Sequence, residues 1–253
     1  AALTTARQNK NCIVIQPFYL EIGSKNDLII SESIGGNSYS RSSKVYLASA
    51  TKWIWVAYAL EKLGVVGPDE DSAFRMLKGY TSMERGTCFP ADTIQSCFDK
   101  GINSEYNENH DGVFHYASGN FQFHAIDSLG VGDLTVNELT DDINVYLKTS
   151  SDSNFSMAVP VPAGGGYGNA IMYSEFLKNL LNDKYVLSSY IGLNTVCTNP
   201  DSCDEASYSV IPEKWHYSYG HWVEDDPDVG DGSFSSPGWF GFYPWIHANK
   251  TEY

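Results

Sequence analysis

The chain has 253 residues, 42% of them apolar and 19% charged, and a formal net charge of −15. That length can bury a sizeable core in one large domain or two lobes, and the composition is globular rather than disordered. The negative charge opposes binding to a phosphate backbone, so no nucleic-acid partner is expected, and no apolar run approaches the ~18 residues of a membrane-spanning helix.

In chain order, Cys12 to Glu21 and Leu28 to Ile34 read as two strands, with Gly23 to Asp27 as the hairpin loop between them. A polar Gly/Ser stretch follows, from Gly35 to Ser43. It leads through Val45-Tyr46-Leu47 into Ser49-Ala50-Thr51-Lys52, which opens an almost wholly apolar helix ended by Gly64. Pro68 to Leu77 and Asp92 to Phe98 read as short helices. Gly101 to Asp111 reads as irregular, and Val113 to Asn120 as an aromatic-rich turn. Phe121 to Leu129 then suits a buried helix. Leu134 to Leu147 is another helix, with Thr135 and Glu138 in capping-box spacing. Pro160 to Gly168 is a glycine-rich loop before a helix at about Ala170 to Leu181. No Gly-Lys-Ser/Thr follows it, so a nucleotide loop is set aside in favour of close backbone packing. Tyr217 to Val223, Gly232 to Ser236 and Trp239 to Ile246 read as strands, with Asp225 to Asp231 as an acidic hairpin loop.

Strands at both ends and helices between predict an α+β fold. Its antiparallel sheet is built from both chain ends and flanked by helices, with an inserted, mainly helical subdomain. The expected division is 1–65 with 186–253 for the sheet-bearing lobe and 66–185 for the insert.

Ser49 and Lys52 carry the chemistry. Three residues apart at a helix start, they share a face, so the amine can reach the hydroxyl. A serine beside an amine is a nucleophile with its own base. The free N–H groups and dipole of the helix start also favour a developing anion. The bland alternative makes Ser49 a helix cap and Lys52 a solvated cation. This is the only S-x-x-K in the chain.

Five cysteines form two close pairs, Cys88 with Cys97 and Cys197 with Cys203, and leave Cys12 over, in the first strand. Two local disulfides and an oxidising compartment follow, so a secreted or periplasmic protein is expected; five free cytosolic thiols are the alternative. Asn154-Phe155-Ser156 and Asn249-Lys250-Thr251 are glycosylation patterns if the source is eukaryotic. Neither cysteine spacing nor any His pair suits zinc, and no metal or other cofactor is expected.

Tyr116-Ala117-Ser118 and Ser236-Pro237-Gly238 follow Ser49-x-x-Lys52 in an order that resembles the serine β-lactamase and penicillin-binding-protein superfamily, in its class C, DD-peptidase and family VIII esterase branch. Met76 to Met83, Ala163 to Tyr167 and Pro237 to Ile246 also look like segments of that family. The resemblance implies Ser49 as the acylated nucleophile, Lys52 as proton acceptor and Tyr116 as proton relay. It further implies an oxyanion hole from the N–H groups of Ser49 and Trp239, and substrate contacts from Ser118, Asn120, Ser236, Gly238 and Trp239. Ser118 stands where Asn is usual, and Ser236 where Lys or His is usual. The second change removes a cation that holds a substrate carboxylate, which disfavours β-lactams more than simple esters or amides. The family also continues past the point that matches Tyr253, so a further C-terminal segment or a second chain is expected to complete the sheet.

Two other roles compete with a hydrolase of a small-molecule or peptide ester, amide or D-amino-acid peptide. One is an inactive binding protein on the same scaffold. The other is a disulfide-stapled lectin-like domain. His115 and His221 are candidates to line the cleft. Trp215, Trp222, Trp239 and Trp245 read as core, with a substrate wall as the second choice.

Overall fold

The computed structural model describes residues 1–64, 72–83 and 86–253. The chain enters through two short helices, α1 (Ala2–Gln8) and α2 (Lys10–Ile13), before strand β1 (Phe18–Gly23). The expected strand thus begins six residues late, and Cys12 lies in a helix. The reason is local: the Asn9 side chain accepts from the Asn11 N–H and caps a helical turn that the β-branched run alone would not predict. Strand β2 (Leu28–Ile34) pairs antiparallel with β1. The other chain end joins this hairpin, because Gly23 and Tyr253 exchange both backbone hydrogen bonds.

Strand β3 (Val45–Tyr46) leads through a single 3-10 turn, Ala48–Ala50, into helix α3 (Thr51–Leu63). Residues 51–60 of α3 are all buried, as an apolar helix surrounded by other elements should be. Gly64 ends it in the left-handed conformation, its N–H returning to Leu60 O at 2.7 Å. Residues 68–71 of the next expected helix lie outside the described residues; 72–74 are helical. The helices α4 (Ile94–Phe98), α5 (Gly119–Asp127), α6 (Val136–Leu147) and α7 (Ala170–Leu181) follow close to expectation. Both side-chain bonds of the Thr135/Glu138 capping box form at the start of α6. That helix clamps α3: Asp142 accepts from Tyr58 and from Lys62, the latter at 2.7 Å.

Short strands tie the middle of the chain to its ends. The order β3-β6-β5 joins Val45–Tyr46 to Gly166–Gly168 (β6) and Ser156–Met157 (β5). Phe114–His115 (β4) runs parallel to Ala206–Tyr208 (β8). A five-stranded antiparallel sheet, in the order β12-β11-β10-β9-β7, gathers Trp245–Ile246, Phe234–Ser235, Trp222–Val223, His216–Tyr217 and Val196–Cys197. The single strand expected over Tyr217 to Val223 is in fact a tight hairpin, β9 to β10. Gly220 turns the chain there at φ +73°, a conformation that suits glycine. The strand expected from Trp239 is mostly a turn, closed by Gly238 N–H to Phe242 O at 2.7 Å, and only Trp245–Ile246 pairs.

Cys88–Cys97 and Cys197–Cys203 are disulfides and Cys12 is free. Among the described residues, no helix is long and apolar enough to cross a membrane.

Helix α5 is seated by a backbone contact. A Cβ on Gly119 would lie 2.1 Å from Tyr80 O. Gly119→Ala is therefore expected to destabilise the fold by about 1–3 kcal/mol and to displace the neighbouring Tyr116. Urea unfolding measures this, and an unchanged midpoint contradicts the packing described.

Candidate active site

Ser49 sits in the turn between β3 and α3, not within the helix. Ala48, just before it, holds φ +46°, rare for a residue with a side chain and typical of sharp functional turns. The turn is fixed from several sides. Leu47 N–H donates to Gly166 O at 2.9 Å, Gly166 N–H donates to Thr51 Oγ1 at 3.0 Å, and Tyr173 Oη donates to Ala50 O at 2.7 Å. The glycine-rich loop is needed here because other backbone comes so near. A Cβ on Gly165 would lie 2.1 Å from Val159 O, and one on Gly166 2.6 Å from Thr51 Oγ1. This is the packing role expected of that loop.

Lys52 Nζ lies 3.0 Å from Ser49 Oγ and donates to Ala163 O at 3.0 Å. The amine also stands 4.7 Å from the centre of the Tyr116 ring. Lys52 is only 2% exposed, and burial pushes its amine down to about 7. Its two oxygen neighbours and the ring are uncharged groups, so among the described residues no ion pair restores the cation. Near neutral pH a large share of the amine is therefore unprotonated and able to accept a proton.

Tyr116 is partly buried. Its ring stacks on Trp222 at 5.2 Å and meets Tyr217 edge-on at 5.9 Å. Burial pushes its phenol up to about 12, against an opposing pull from the Ser49 hydroxyl and the Trp222 indole. The phenol is thus protonated near neutral pH, and of the two groups the amine is the one able to accept a proton there.

The third segment lies along the Ser49 turn. Ser236 Oγ donates to Ser49 O at 3.2 Å and to Gly220 O at 3.4 Å. A Cβ on Gly238 would sit 2.1 Å from Leu47 O, so the turn that carries Trp239 rests directly on the backbone before Ser49. Trp239 is 69% exposed. Ser49, Lys52, Tyr116, Ser236, Gly238 and Trp239 are therefore one neighbourhood. Ser118 is the partly exposed N-cap residue of α5. Asn120 differs from expectation: it is fully buried inside α5, with neither amide atom hydrogen-bonded, so it presents nothing at the open surface.

His115 and His221, the two histidines expected to line the cleft, are each engaged by other groups. His221 is fully buried and stacks on Trp53 at 5.3 Å; Gly192 N–H donates to its Nε2 and its Nδ1 faces Tyr219 O. His115 faces the Ser207 hydroxyl and stacks on His110 at 4.3 Å. Burial lowers both rings to about 4. Among the described residues, no group of three or more His, Cys, Asp or Glu side chains could hold a metal ion.

Sequence reasoning missed Ala163, Thr51, Tyr173 and Leu47, which act here through backbone oxygens or through a bond to backbone. Only the glycine run hinted at one of them. Trp222 was noticed as an aromatic but not as the surface under Tyr116.

No family model matches the chain, and no curated protein matches it by sequence. Solved structures do match. A provisionally named β-lactamase of Bacteroides dorei aligns with a TM-score of 0.65 at 18% identity, over 96% of this chain and 86% of its own. The octameric penicillin-binding-protein homologue of Pyrococcus abyssi gives 0.64 at 12% identity, over 92% and 67%. The D-amino acid amidase of Ochrobactrum anthropi gives 0.61 at 11%, over 100% and 89%. The chain shares the α+β fold of these structures.

Two outcomes follow from the buried amine. The native state binds fewer protons than the unfolded chain between pH 7 and the usual lysine value near 10.5. The lysine's cost to stability is thus full below pH 7 and fades as pH rises. Lys52→Met should stabilise the fold at pH 6, on the order of 1 kcal/mol, and hardly at pH 10. Thermal unfolding at the two pH values tests this, and an equal or opposite change at pH 6 contradicts it.

Proposed function

We propose that this protein is a serine hydrolase that works through an acyl-enzyme on Ser49. The supporting observation is the amine of Lys52, desolvated and 3.0 Å from the Ser49 hydroxyl, with the Tyr116 ring against it. The shared fold supports the general class, since similarly folded proteins include hydrolases such as a D-amino acid amidase. A fold alone does not carry an activity.

Neutral Lys52 takes the Ser49 proton as Oγ attacks an ester or amide carbonyl. The new oxyanion is held by the N–H groups of Ser49 and Trp239, aimed at charge that develops only in the transition state. Tyr116 gives its proton to the leaving group and regains one from the Lys52 ammonium. Water then attacks the acyl-enzyme by the reverse relay. On this reading the cleft lies between the parts 1–65 with 186–253 and the insert 66–185, because Tyr116 comes from the insert. Ser118 lies on the rim. The two disulfides suit a secreted or periplasmic setting, and we assign the protein to one.

The inactive-scaffold reading has one observation in its favour: Ser236 is spent on two backbone carbonyls and brings no charge. Intact mass separates the two. Treatment with a fluorophosphonate should add one adduct, mapped to Ser49, and Ser49→Ala should lose both the adduct and hydrolysis of a p-nitrophenyl ester. No adduct at high probe concentration favours the inactive scaffold.

The pH profile is the second test. Acylation should rise through an apparent value near 7 as Lys52 loses its proton, falling about tenfold per pH unit below it. A rate that is flat from pH 5 to 9 removes Lys52 as the base.

A further inference from the structure

We infer that the Cys197–Cys203 disulfide positions Tyr116: it ties strand β8 to the five-stranded sheet, and the two together hold the phenol beside Lys52. The inference rests on the hydrolase reading and deepens it, by naming positioning residues for the proton relay and the class of substrate that needs them.

Tyr116 is held from two directions. Its backbone is held by β8 and the residue before it. Phe114 N–H donates to Glu205 O at 2.7 Å, and Tyr116 N–H donates to Tyr208 O at 3.1 Å. Between these bonds, Ser207 Oγ donates to Phe114 O at 3.2 Å. Its ring is held by the five-stranded sheet, through Tyr217 on β9 and Trp222 on β10. A phenol supported at backbone and ring keeps its oxygen in place only while the two supports keep their spacing.

The disulfide joins those two supports. Cys197 lies on β7, which pairs with β9 so that Val196 is opposite Tyr217 and Cys197 opposite His216. Cys203 lies two residues before Glu205. The covalent link therefore runs from the strand beside Tyr217 to the segment that receives the backbone of Tyr116.

Burial gives that segment little anchorage. From Pro200 to Tyr208 every residue is exposed except Cys203, which is partly buried, and Ala206, which is buried. Exposed chain with few apolar contacts opens locally at low cost. The N–H groups of Ser202 and Cys203 donate to Asn199 O at 3.0 and 3.1 Å, which closes the same loop by breakable bonds. A cross-link removes the open forms from the ensemble.

The consequence depends on the leaving group. A p-nitrophenolate departs as a stable anion, whereas an alkoxide must take a proton as its bond to the acyl carbon breaks. Tyr116 supplies that proton. A displaced Tyr116 therefore slows acylation by alkyl esters and spares acylation by nitrophenyl esters.

The test compares Cys197→Ser/Cys203→Ser with the parent protein. Ethyl acetate and p-nitrophenyl acetate form the same acyl-enzyme, and kcat/KM reports its formation. The double variant should lose at least tenfold on ethyl acetate and less than threefold on p-nitrophenyl acetate. Tyr116→Phe should give the same pattern, and adding it to the double variant should cost no more. Equal losses on the two esters, an unchanged rate on ethyl acetate, or a further tenfold loss on combining the changes overturns the inference and leaves the hydrolase intact. Hydrogen exchange of the Tyr116 amide, followed by NMR, needs no activity and should be at least tenfold faster in the double variant. If the parent hydrolyses neither ester but exchange accelerates, the clamp stands and the hydrolase reading falls. Unaccelerated exchange overturns the clamp whatever the catalysis. If the double variant does not fold, two glycines inserted between Cys203 and Asp204 slacken the tie with the bond intact, and the same criteria apply.

Discussion

An amine without water is the constraint on which the site depends. Lys52 sits on the first turn of a helix whose next eight residues are all buried, and its own exposure is 2%. In that position it has a carbonyl, a hydroxyl and an aromatic face for neighbours and, among the described residues, no carboxylate to restore its charge. Desolvation alone then lowers its proton affinity. The same burial that makes the helix central leaves much of the amine unprotonated near neutral pH. The cost appears as lost stability, and a catalytic group is a common reason for a fold to carry such a cost.

The surroundings of Ser49 are set by backbone more than by side chains. Gly119, Gly165, Gly166 and Gly238 each stand where a Cβ would meet another backbone or side-chain atom at 2.1 to 2.6 Å. Two chain segments, at Gly166 and Gly238, thus pack on the Ser49 turn at Thr51 and Leu47, while Gly119 packs on Tyr80 and Gly165 on Val159. Ala48 holds a positive φ in that turn. Side chains complete the arrangement. Trp222 and Tyr217 back the Tyr116 ring, and Asp142 fixes the far end of α3 through Tyr58 and Lys62. Rigid support of this kind keeps reacting groups within bonding reach and spares later reorganisation.

The Ser236 hydroxyl is turned inward to two backbone carbonyls. Tyr46, Trp239 and Phe240 are left exposed. Asn120 goes the other way: a polar residue near the second segment in sequence is carried into the core by helix periodicity.

Local signals were legible where the physical cause is local. The Ser49–Lys52 spacing, the apolar run after it, the Gly64 stop, the Thr135/Glu138 cap and the helix at 170–181 each depend on neighbours within a turn or two, so sequence alone determined them. Where a competing local signal was weaker, the reading slipped. Asn9 capped a helical turn inside an apparent strand, and Gly220 folded an apparent strand into a hairpin. The meeting of Tyr116 with Lys52, the Ala163 carbonyl on the amine, the rest of Gly238 on Leu47 and the burial of Asn120 were decided only by tertiary structure. Those contacts join residues tens to nearly two hundred positions apart. Their energies come from desolvation and close packing, which do not exist until the chain has closed on itself.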